Sequence, residues 1–302
     1  MSRSHVVALC VVTCLCVVDA GASARSRADW LALAARGFEL SAEERAVDVL
    51  DEMNPLLSSP DPALRDDVAY AAAERWILRE HALGPEELRR VLAQWTRNLD
   101  GGLGERGTDT VFARSFSALC LSLVAAADLG TPFLDTGEAQ AFFDRMLDYF
   151  ARERDLRGFD PDRGWMHSVA HTADVLKFLA RNPKLRPGVD VRLLDAVRAK
   201  IDSADAVFVW GENERIALAL HAAIRRTDAD PAAFAAWAER WVADHQRLWA
   251  KGPQVDPAAY ARVENAKQVL RALWVALSLD AAPTPAAGAA MTSLEDALAR
   301  MR

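Results

Sequence analysis

The helical pattern of the chain is clearest at residues 164–181, which read GWMHSVAHTADVLKFLAR. Each residue of an α-helix turns by about 100°, so residues three or four positions apart share a face. The apolar residues that gather on one side of this stretch are Val169, Ala173, Leu176 and Leu179. The stretch therefore predicts an amphipathic helix over residues 165–181.

The opposite face of this helix carries two histidines and a carboxylate. Relative to His167, His171 lies at about +40° and Asp174 at about −20°. Imidazoles at i and i+4 beside a carboxylate can bind a divalent metal, with zinc the best match, or exchange protons. A solvated polar face without chemistry has the same pattern. Phe178 lies on the stripe as well, which favours a face that lines a groove.

The rest of the chain repeats this period in helix after helix. Predicted helices cover residues 28–36, 42–53, 62–81, 85–98, 110–128, 137–154, 165–181, 190–204, 212–227, 231–250 and 257–279. No run alternates apolar and polar residues over enough positions to predict a sheet. Connections are short, which favours antiparallel helix pairs. We predict an all-α fold, an irregular stack of antiparallel helix pairs like a HEAT superhelix or an α/α-toroid.

Three Asp-Pro pairs mark predicted helix starts. Asp61, Asp230 and Asp256 each precede a proline and then an alanine-rich, apolar-periodic run. An aspartate at the N-cap accepts hydrogen bonds from free backbone N–H groups, and proline suits the first helical turn. These pairs therefore predict where three of the helices begin.

The first 24 residues have the order of a secretory signal peptide. A short basic segment, residues 1–5, precedes an apolar run over residues 6–18 that is short for a membrane span. Small residues at 22–24 suit cleavage. We expect residues 1–24 to be removed, the mature protein to be periplasmic or secreted, and no stable membrane insertion afterwards. An uncleaved N-terminal anchor is the alternative.

Composition and cysteine usage limit the class of protein. The 302 residues are 51% hydrophobic and carry a formal net charge of −7, without a stripe of Lys or Arg. This balance allows a large core and argues against a nucleic-acid partner. Three of the four cysteines lie in the predicted signal peptide, so the mature chain keeps only Cys120 and has no internal disulfide.

The mature chain is predicted to hold one helical domain. Residues 25–280 carry the periodic segments, whereas residues 281–290 are rich in Ala, Pro and Gly and predict a linker. A short helix over residues 294–302 follows. We therefore divide the chain into a signal peptide, 1–24, an all-α domain, 25–280, and a C-terminal segment, 281–302.

Arg114 is the only charged residue in an otherwise apolar and hydroxyl-bearing helix, which predicts that it is buried. A buried guanidinium needs a carboxylate or several carbonyls to offset its desolvation. It forms either a structural ion pair or an anion-binding site. Candidate partners are Asp174, Glu212 and Glu214.

Two carboxylates, Glu212 and Glu214, lie at a predicted helix start in the segment GENER. The helix dipole favours negative charge there, so helix capping explains them without any chemistry. Alternatively, either of them completes a metal site or acts as a base. We expect Arg114, Glu212 or Glu214 to reach the stripe that holds His167, because a groove should join groups from several helices.

Three segments together resemble a known family. They are residues 157–174, RGFDPDRGWMHSVAHTAD, residues 111–119, VFARSFSAL, and residues 211–215, GENER. The chain resembles the bacterial domain-of-unknown-function family 2785 over roughly residues 46–279. The resemblance implies an all-α fold and no established activity. Many relatives lack a signal peptide, so export is a departure from the family.

Three functions fit this pattern. The first is an exported metal-dependent hydrolase, which uses a metal-bound water. Its assigned residues are His167, His171 and Asp174 as metal ligands, Glu212 or Glu214 as base, and Arg114 for an anion. The second is a non-catalytic helical-repeat module that binds a small molecule, peptide or glycan in a groove. The third is a glycan-processing α/α-toroid with paired carboxylates and no metal.

Overall fold

The structure is a computed structural model that describes residues 25–250, 252 and 254–302. The predicted signal peptide lies outside the described residues. Helices dominate the described chain, and the strands found there form a single pair, β1 (Phe159–Asp160) and β2 (Gly164–Trp165). The predicted all-α fold is confirmed.

The N-terminal part of the fold consists of short helices. They are α1 (Arg27–Ala35), α2 (Ala46–Met53), a 3₁₀ turn (Asn54–Ser58), α3 (Pro62–Leu64), α4 (Ala71–Glu74) and α5 (Pro85–Asn98). Two π-helical segments, Arg65–Tyr70 and Arg75–Arg79, join α3 to α4 and extend α4. The helix predicted over residues 62–81 therefore exists as one helical run whose hydrogen-bonding pattern changes along its length.

Longer helices form the remainder. They are α6 (Thr110–Gly130), α7 (Thr136–Arg152), α8 (Ser168–Ala180), α9 (Val189–Asp202), α10 (Glu212–Ile224), α11 (Pro231–Trp249), α12 (Pro257–Ser278) and α13 (Pro285–Arg300). Successive long helices contact one another as pairs, α7 with α8, α9 with α10, and α11 with α12.

These helices form two layers. In one layer, α6 packs along α8, α8 along α10, and α10 along α12. In the other, α7 contacts α9, α9 contacts α11, and α11 packs along α13. Helix α8 lies between α6 and α10 and is buried over most of its surface, including every residue from Ser168 to Leu176. His167, His171 and Asp174 of the predicted stripe are therefore largely covered by protein and do not lie on a broad solvated surface.

Helix α6 is the apolar centre of the fold. By length and composition it could cross a membrane, but 72% of its most apolar window is buried inside the protein. Its Cys120 is fully buried among apolar side chains, as the sequence predicts for a small core residue. Helix α6 thus belongs to the core, and it carries Arg114 and Ser115 into the interior.

The three Asp-Pro pairs cap helices as predicted. Asp61 accepts a hydrogen bond from the N–H of Ala63, Asp230 from that of Ala232, and Asp256 from those of the first turn of α12. Each proline occupies the first helical position, where its missing N–H costs nothing. Local sequence alone therefore fixes where α3, α11 and α12 begin.

The C-terminal segment differs from the prediction. The linker predicted over residues 281–290 is helical from Pro285, and α13 continues to Arg300 as one helix. Thr284 caps it, and Ala287 and Ala290 are buried against the neighbouring helices. The prediction of a linker was wrong here. The small alanines that suggested it form a helix that packs against α11 and α12.

Candidate functional site

The segment before α8 is a hairpin and not the first turn of a helix. Phe159 pairs with Trp165, and Asp160 pairs with Gly164, in an antiparallel two-residue ladder. Gly164 has φ +74°, which lies outside the range of a regular α-helix, so α8 cannot extend back through it. The helix predicted over residues 165–181 therefore begins only at Ser168, and Trp165 belongs to the strand that precedes it.

His167 occupies the N-cap position of α8 in a left-handed conformation, with φ 50° and ψ 32°. Few residues other than glycine adopt this conformation, and it turns the chain from the hairpin into the helix. The imidazole is 8% exposed and stacks on Trp165, with ring centroids 4.8 Å apart. In the described part of the chain, no hydrogen bond reaches its buried Nε2.

His171 is held in a defined orientation by α6. Its Nδ1 lies 2.8 Å from Ser115 Oγ and 3.2 Å from the Ser115 carbonyl. Ser115 Oγ donates its own proton to the carbonyl of Met166, so it can only accept from His171. The proton of the neutral imidazole therefore lies on Nδ1, and Nε2 keeps its lone pair.

The two imidazoles are neighbours, with ring centroids 5.4 Å apart and planes inclined by 67°. Burial lowers the pKa of His171 well below its usual range, and the nearby His167 lowers it further. Burial also lowers the pKa of His167, although the Trp210 backbone opposes this effect. Both rings are therefore neutral at pH 7, the form that binds metals or accepts protons.

The carboxylate of Asp174 forms ion pairs with two cationic side chains. Lys177 Nζ lies 2.9 Å from its Oδ1, and Arg215 of α10 forms an ion pair with its Oδ2. The polar groups that reach the stripe from other helices are therefore Ser115 and Arg215. The expected Arg114, Glu212 and Glu214 do not take these places.

The metal-ligand set His167, His171 and Asp174 does not form a compact cluster. Among the residues that the structure describes, no group of three or more His, Cys, Asp or Glu side chains is placed to hold one ion. A metal at this position would need Asp174 to leave its two cationic partners. Metal binding stays a prediction.

Arg114 is buried and paired, but its partner differs from the three expected. Its Nε and Nη2 donate to the carboxylate of Glu153, at 2.6 and 3.1 Å, and its Nη1 donates to the carbonyl of Gly101. Burial alone would lower the pKa of Arg114, but the Glu153 carboxylate outweighs it and raises that pKa. Glu153 was missed because it follows α7 at a distant place in the sequence.

Glu212 and Glu214 have different environments at the start of α10. Glu212 is buried, and its carboxylate accepts a hydrogen bond of 2.8 Å from the backbone N–H of Trp210. Burial raises the pKa of Glu212, while these backbone bonds oppose the effect. Glu214 is exposed on the first turn. Both residues therefore fit the capping interpretation, and Glu212 also faces a cleft.

Three aromatic side chains from two loops form a cluster above His167. Phe159 lies 4.8 Å from Trp165 and 5.6 Å from Trp210, and the two indoles lie 6.0 Å apart, between ring centroids. They remain 39%, 36% and 45% exposed, in the order Phe159, Trp165, Trp210. We call these three residues the aromatic cluster. The sequence contains them, but nothing in its helical period brings the loops together.

A cleft of about 490 Å³ opens beside this cluster. Its wall includes Arg154, Asp160, Met166, Glu212 and two members of the cluster, Phe159 and Trp210. Gly158 and Trp210 both line the cleft and lie against each other, since a Cβ added at Gly158 would lie 2.0 Å from Trp210 Cδ1. Only glycine therefore allows the indole to approach the backbone this closely.

Arg65 holds the cleft loop to the N-terminal helices. It is fully buried, donates to the carbonyls of Ser59 and Arg163, and stacks against the rings of Phe112 and Phe116 at 4.2 and 4.6 Å. These contacts fix the hairpin on α6. Sequence reasoning missed Arg65, since a single arginine in an amphipathic helix gives no sign of burial.

Comparison with known families gives one match to the sequence of the chain. The family described as "Protein of unknown function (DUF2785)" matches residues 99–275, more than half of the chain. The chain belongs to this family. The match includes the hairpin, α8 and α10, and it starts later than the resemblance over residues 46–279 suggested. No curated protein and no solved structure matches the chain.

Proposed function

We propose that the chain binds a small organic ligand, a glycan or a short peptide segment, in the cleft beside the aromatic cluster. The observation that carries this proposal is the exposure of Phe159, Trp165 and Trp210, which contact one another and still leave more than a third of each side chain in solvent. Large aromatic side chains are usually buried, and a contiguous exposed group of them is typical of binding sites.

The cleft also has the other features of a ligand site. Its volume lies within the range of about 300–1,000 Å³ that small-molecule pockets occupy. The lining of the cleft combines the apolar side chains of Met166 and Trp210 with charged groups such as Arg154 and Asp160. A few polar groups against an apolar surface are what orients a bound molecule. The arrangement favours the helical binding module over the other predicted functions.

Loss of Trp210 should remove ligand binding from this cleft. In saturation-transfer NMR with a mixture of soluble oligosaccharides and uncharged short peptides, we expect the parent protein to give signals from at least one component. Trp210→Ala should reduce these signals by at least about fivefold, because a buried aromatic contact carries much of such a binding energy. Gly158→Ala should act similarly, since its Cβ displaces the indole.

Trp249 supplies the matched control for this experiment. It is 45% exposed, like Trp210, but lies on α11 beside Tyr260. Trp249→Ala should leave the signals unchanged. Equal losses in Trp210→Ala and Trp249→Ala, or no signals from the parent, would contradict a ligand site in the cleft.

A metal-dependent hydrolase is the second candidate, because two neutral imidazoles lie together with uncommitted Nε2 atoms. His171 already donates Nδ1–H to Ser115, which is how metal-ligating histidines are commonly oriented. Ring centroids 5.4 Å apart fit two imidazoles on one ion. In such a hydrolase, Arg114 would have a structural role, because it pairs with Glu153. Glu212 lines the cleft and is the carboxylate available to act there.

Zinc binding tests the second candidate directly. If the imidazole pair holds an ion, calorimetry should show one zinc site in the parent protein and none in His167→Ala combined with His171→Ala. The far-UV circular dichroism of this variant should keep the helical signal of the parent. His221→Ala is the control, because His221 pairs with Asp280 away from the stripe. No zinc uptake by the parent would reject the metal site.

The predicted export completes the proposal. A periplasmic or secreted location would expose the cleft to extracytoplasmic glycans and peptides, which are the ligands that the binding module is proposed to take.

A further inference from the structure

We infer that the ligand of the cleft is an uncharged saccharide and that Trp210 provides its stacking face. This inference rests on the proposed ligand site and names its substrate class. It depends on three observations: the inclination of the aromatic rings, the charges of the groups that line the cleft, and the contacts that hold the loops.

The rings of the aromatic cluster are steeply inclined to one another. The planes of Phe159 and Trp165 differ by 61°, those of Phe159 and Trp210 by 50°, and those of the two indoles by 86°. Such a corner has no parallel slot for a flat ligand. It offers separate aromatic faces instead, and the C–H face of a pyranose packs on an aromatic face while its hydroxyls point outward.

The polar wall suits hydroxyl groups better than a charged ligand. Three arginines and four carboxylates line the cleft, so their charges nearly balance. Ion pairs join Arg157 to Asp155 at 2.7 Å and Arg106 to Asp205 at 3.0 Å. Guanidinium and carboxylate groups are planar and present paired donors or acceptors, which match two adjacent hydroxyls. A strongly charged peptide would meet like charges on either side.

Contacts within the protein hold the loop segments around Asp155, Gly158 and the hairpin in place. Asp155 is buried, accepts from the N–H of Gly107 at 2.9 Å, and holds the guanidinium of Arg157. Gly158 seats Trp210, and Arg65 holds the hairpin. Weakly binding, heavily hydrated ligands such as saccharides gain most from a preformed site, because little ordering free energy is lost on binding.

The probes for the test are three neutral trisaccharides, cellotriose, maltotriose and N-acetylchitotriose, and one uncharged pentapeptide of Gly, Ser and Gln. Titration followed by tryptophan fluorescence and calorimetry should show at least one trisaccharide binding with a dissociation constant of about 1 mM or lower. Trp210→Ala should weaken this affinity at least tenfold. Trp210→Phe should keep most of it, because the stacking face remains.

The outcomes separate this inference from the proposed ligand site. Trisaccharide binding that Trp210→Ala abolishes and Trp249→Ala leaves unchanged supports both. Binding of the pentapeptide alone, with the same sensitivity to Trp210, overturns the saccharide assignment and keeps the site. Trisaccharide binding that Trp210→Ala leaves unchanged overturns the assignment of the stacking face. Absence of binding by every probe overturns the saccharide assignment, and the broader NMR mixture then decides the ligand site.

Discussion

Replacing Arg114 by leucine should lower the free energy of unfolding by about 3 kcal/mol. The substitution leaves the Glu153 carboxylate buried without its cation, and breaking a buried pair on one side costs more than the pair contributes. Glu153 would keep the Tyr149 hydroxyl and the N–H groups of Arg154 and Asp155 as donors, which limits the loss. Urea denaturation at pH 7.5 measures the effect.

A second variant identifies the stranded charge as the cause. Glu153→Gln added to Arg114→Leu removes the charge but keeps an acceptor for the N–H groups of the turn, so it should recover a large part of the lost stability.

Arg152 provides the surface comparison on α7. It pairs with Asp148 at 3.0 Å, and both side chains are about half exposed. Arg152→Leu should cost less than about 0.5 kcal/mol. If Arg114→Leu unfolds at the same urea concentration as the parent, Arg114 reaches solvent in solution and the buried pair does not exist there.

The helices could be predicted because their signals are local. The start of α5 at Pro85 and the starts of α11 and α12 after Asp-Pro pairs agree with the predicted bounds. Caps and periodic apolar residues act within one or two turns, so they can be recognised without knowing what the helix contacts. The predicted ends of α6 and α10 also differ from the observed ends by only a few residues.

The start of α8 could not be predicted from periodicity. Trp165 and Met166 continue the helical pattern, but the pairing of Phe159 with Trp165 and the left-handed turn at His167 stop it. A two-residue ladder leaves almost no pattern in sequence. The consequence for the site is large, because Trp165 joins the aromatic cluster and His167 lies beneath it.

The partners of the buried polar groups could not be predicted either. That Arg114 is buried followed from its apolar helix, whereas Glu153 as its partner depends on how α7 ends against α6. Similarly, Asp174 was placed on the correct stripe, but Arg215 reaches it from α10. Contacts between distant segments depend on the relative position of helices, which a helical wheel does not contain.

Lys200 forms a hydrogen bond with Glu153, the residue that precedes the loop lining the cleft. Its side chain is buried on α9, Nζ donates to the Glu153 carbonyl at 2.6 Å, and the ring of Phe150 lies 5.2 Å away. Burial lowers the pKa of Lys200 to about 7, although the Glu153 carboxylate opposes this and Arg154 adds to it. In the unfolded chain the pKa returns to about 10.4.

Stability should therefore depend on pH through Lys200. Between pH 7 and 10 the unfolded chain binds a proton that the native amine does not, so this group raises the free energy of unfolding by about 1.4 kcal/mol per pH unit. Below the folded pKa both states are protonated and the dependence vanishes. Lys200→Met removes the amine from both states and with it this slope.

The measurable quantity is the difference in unfolding free energy between the parent and Lys200→Met. It should rise by about 2–3 kcal/mol in favour of the parent from pH 7.5 to 9.5 and stay flat below pH 6.5. Lys200→Leu should give another offset and the same slope, because both variants lack the amine and differ only in packing. If the difference does not depend on pH, Lys200 keeps its charge in the native protein. Its charged ammonium group then donates the hydrogen bond to the Glu153 carbonyl.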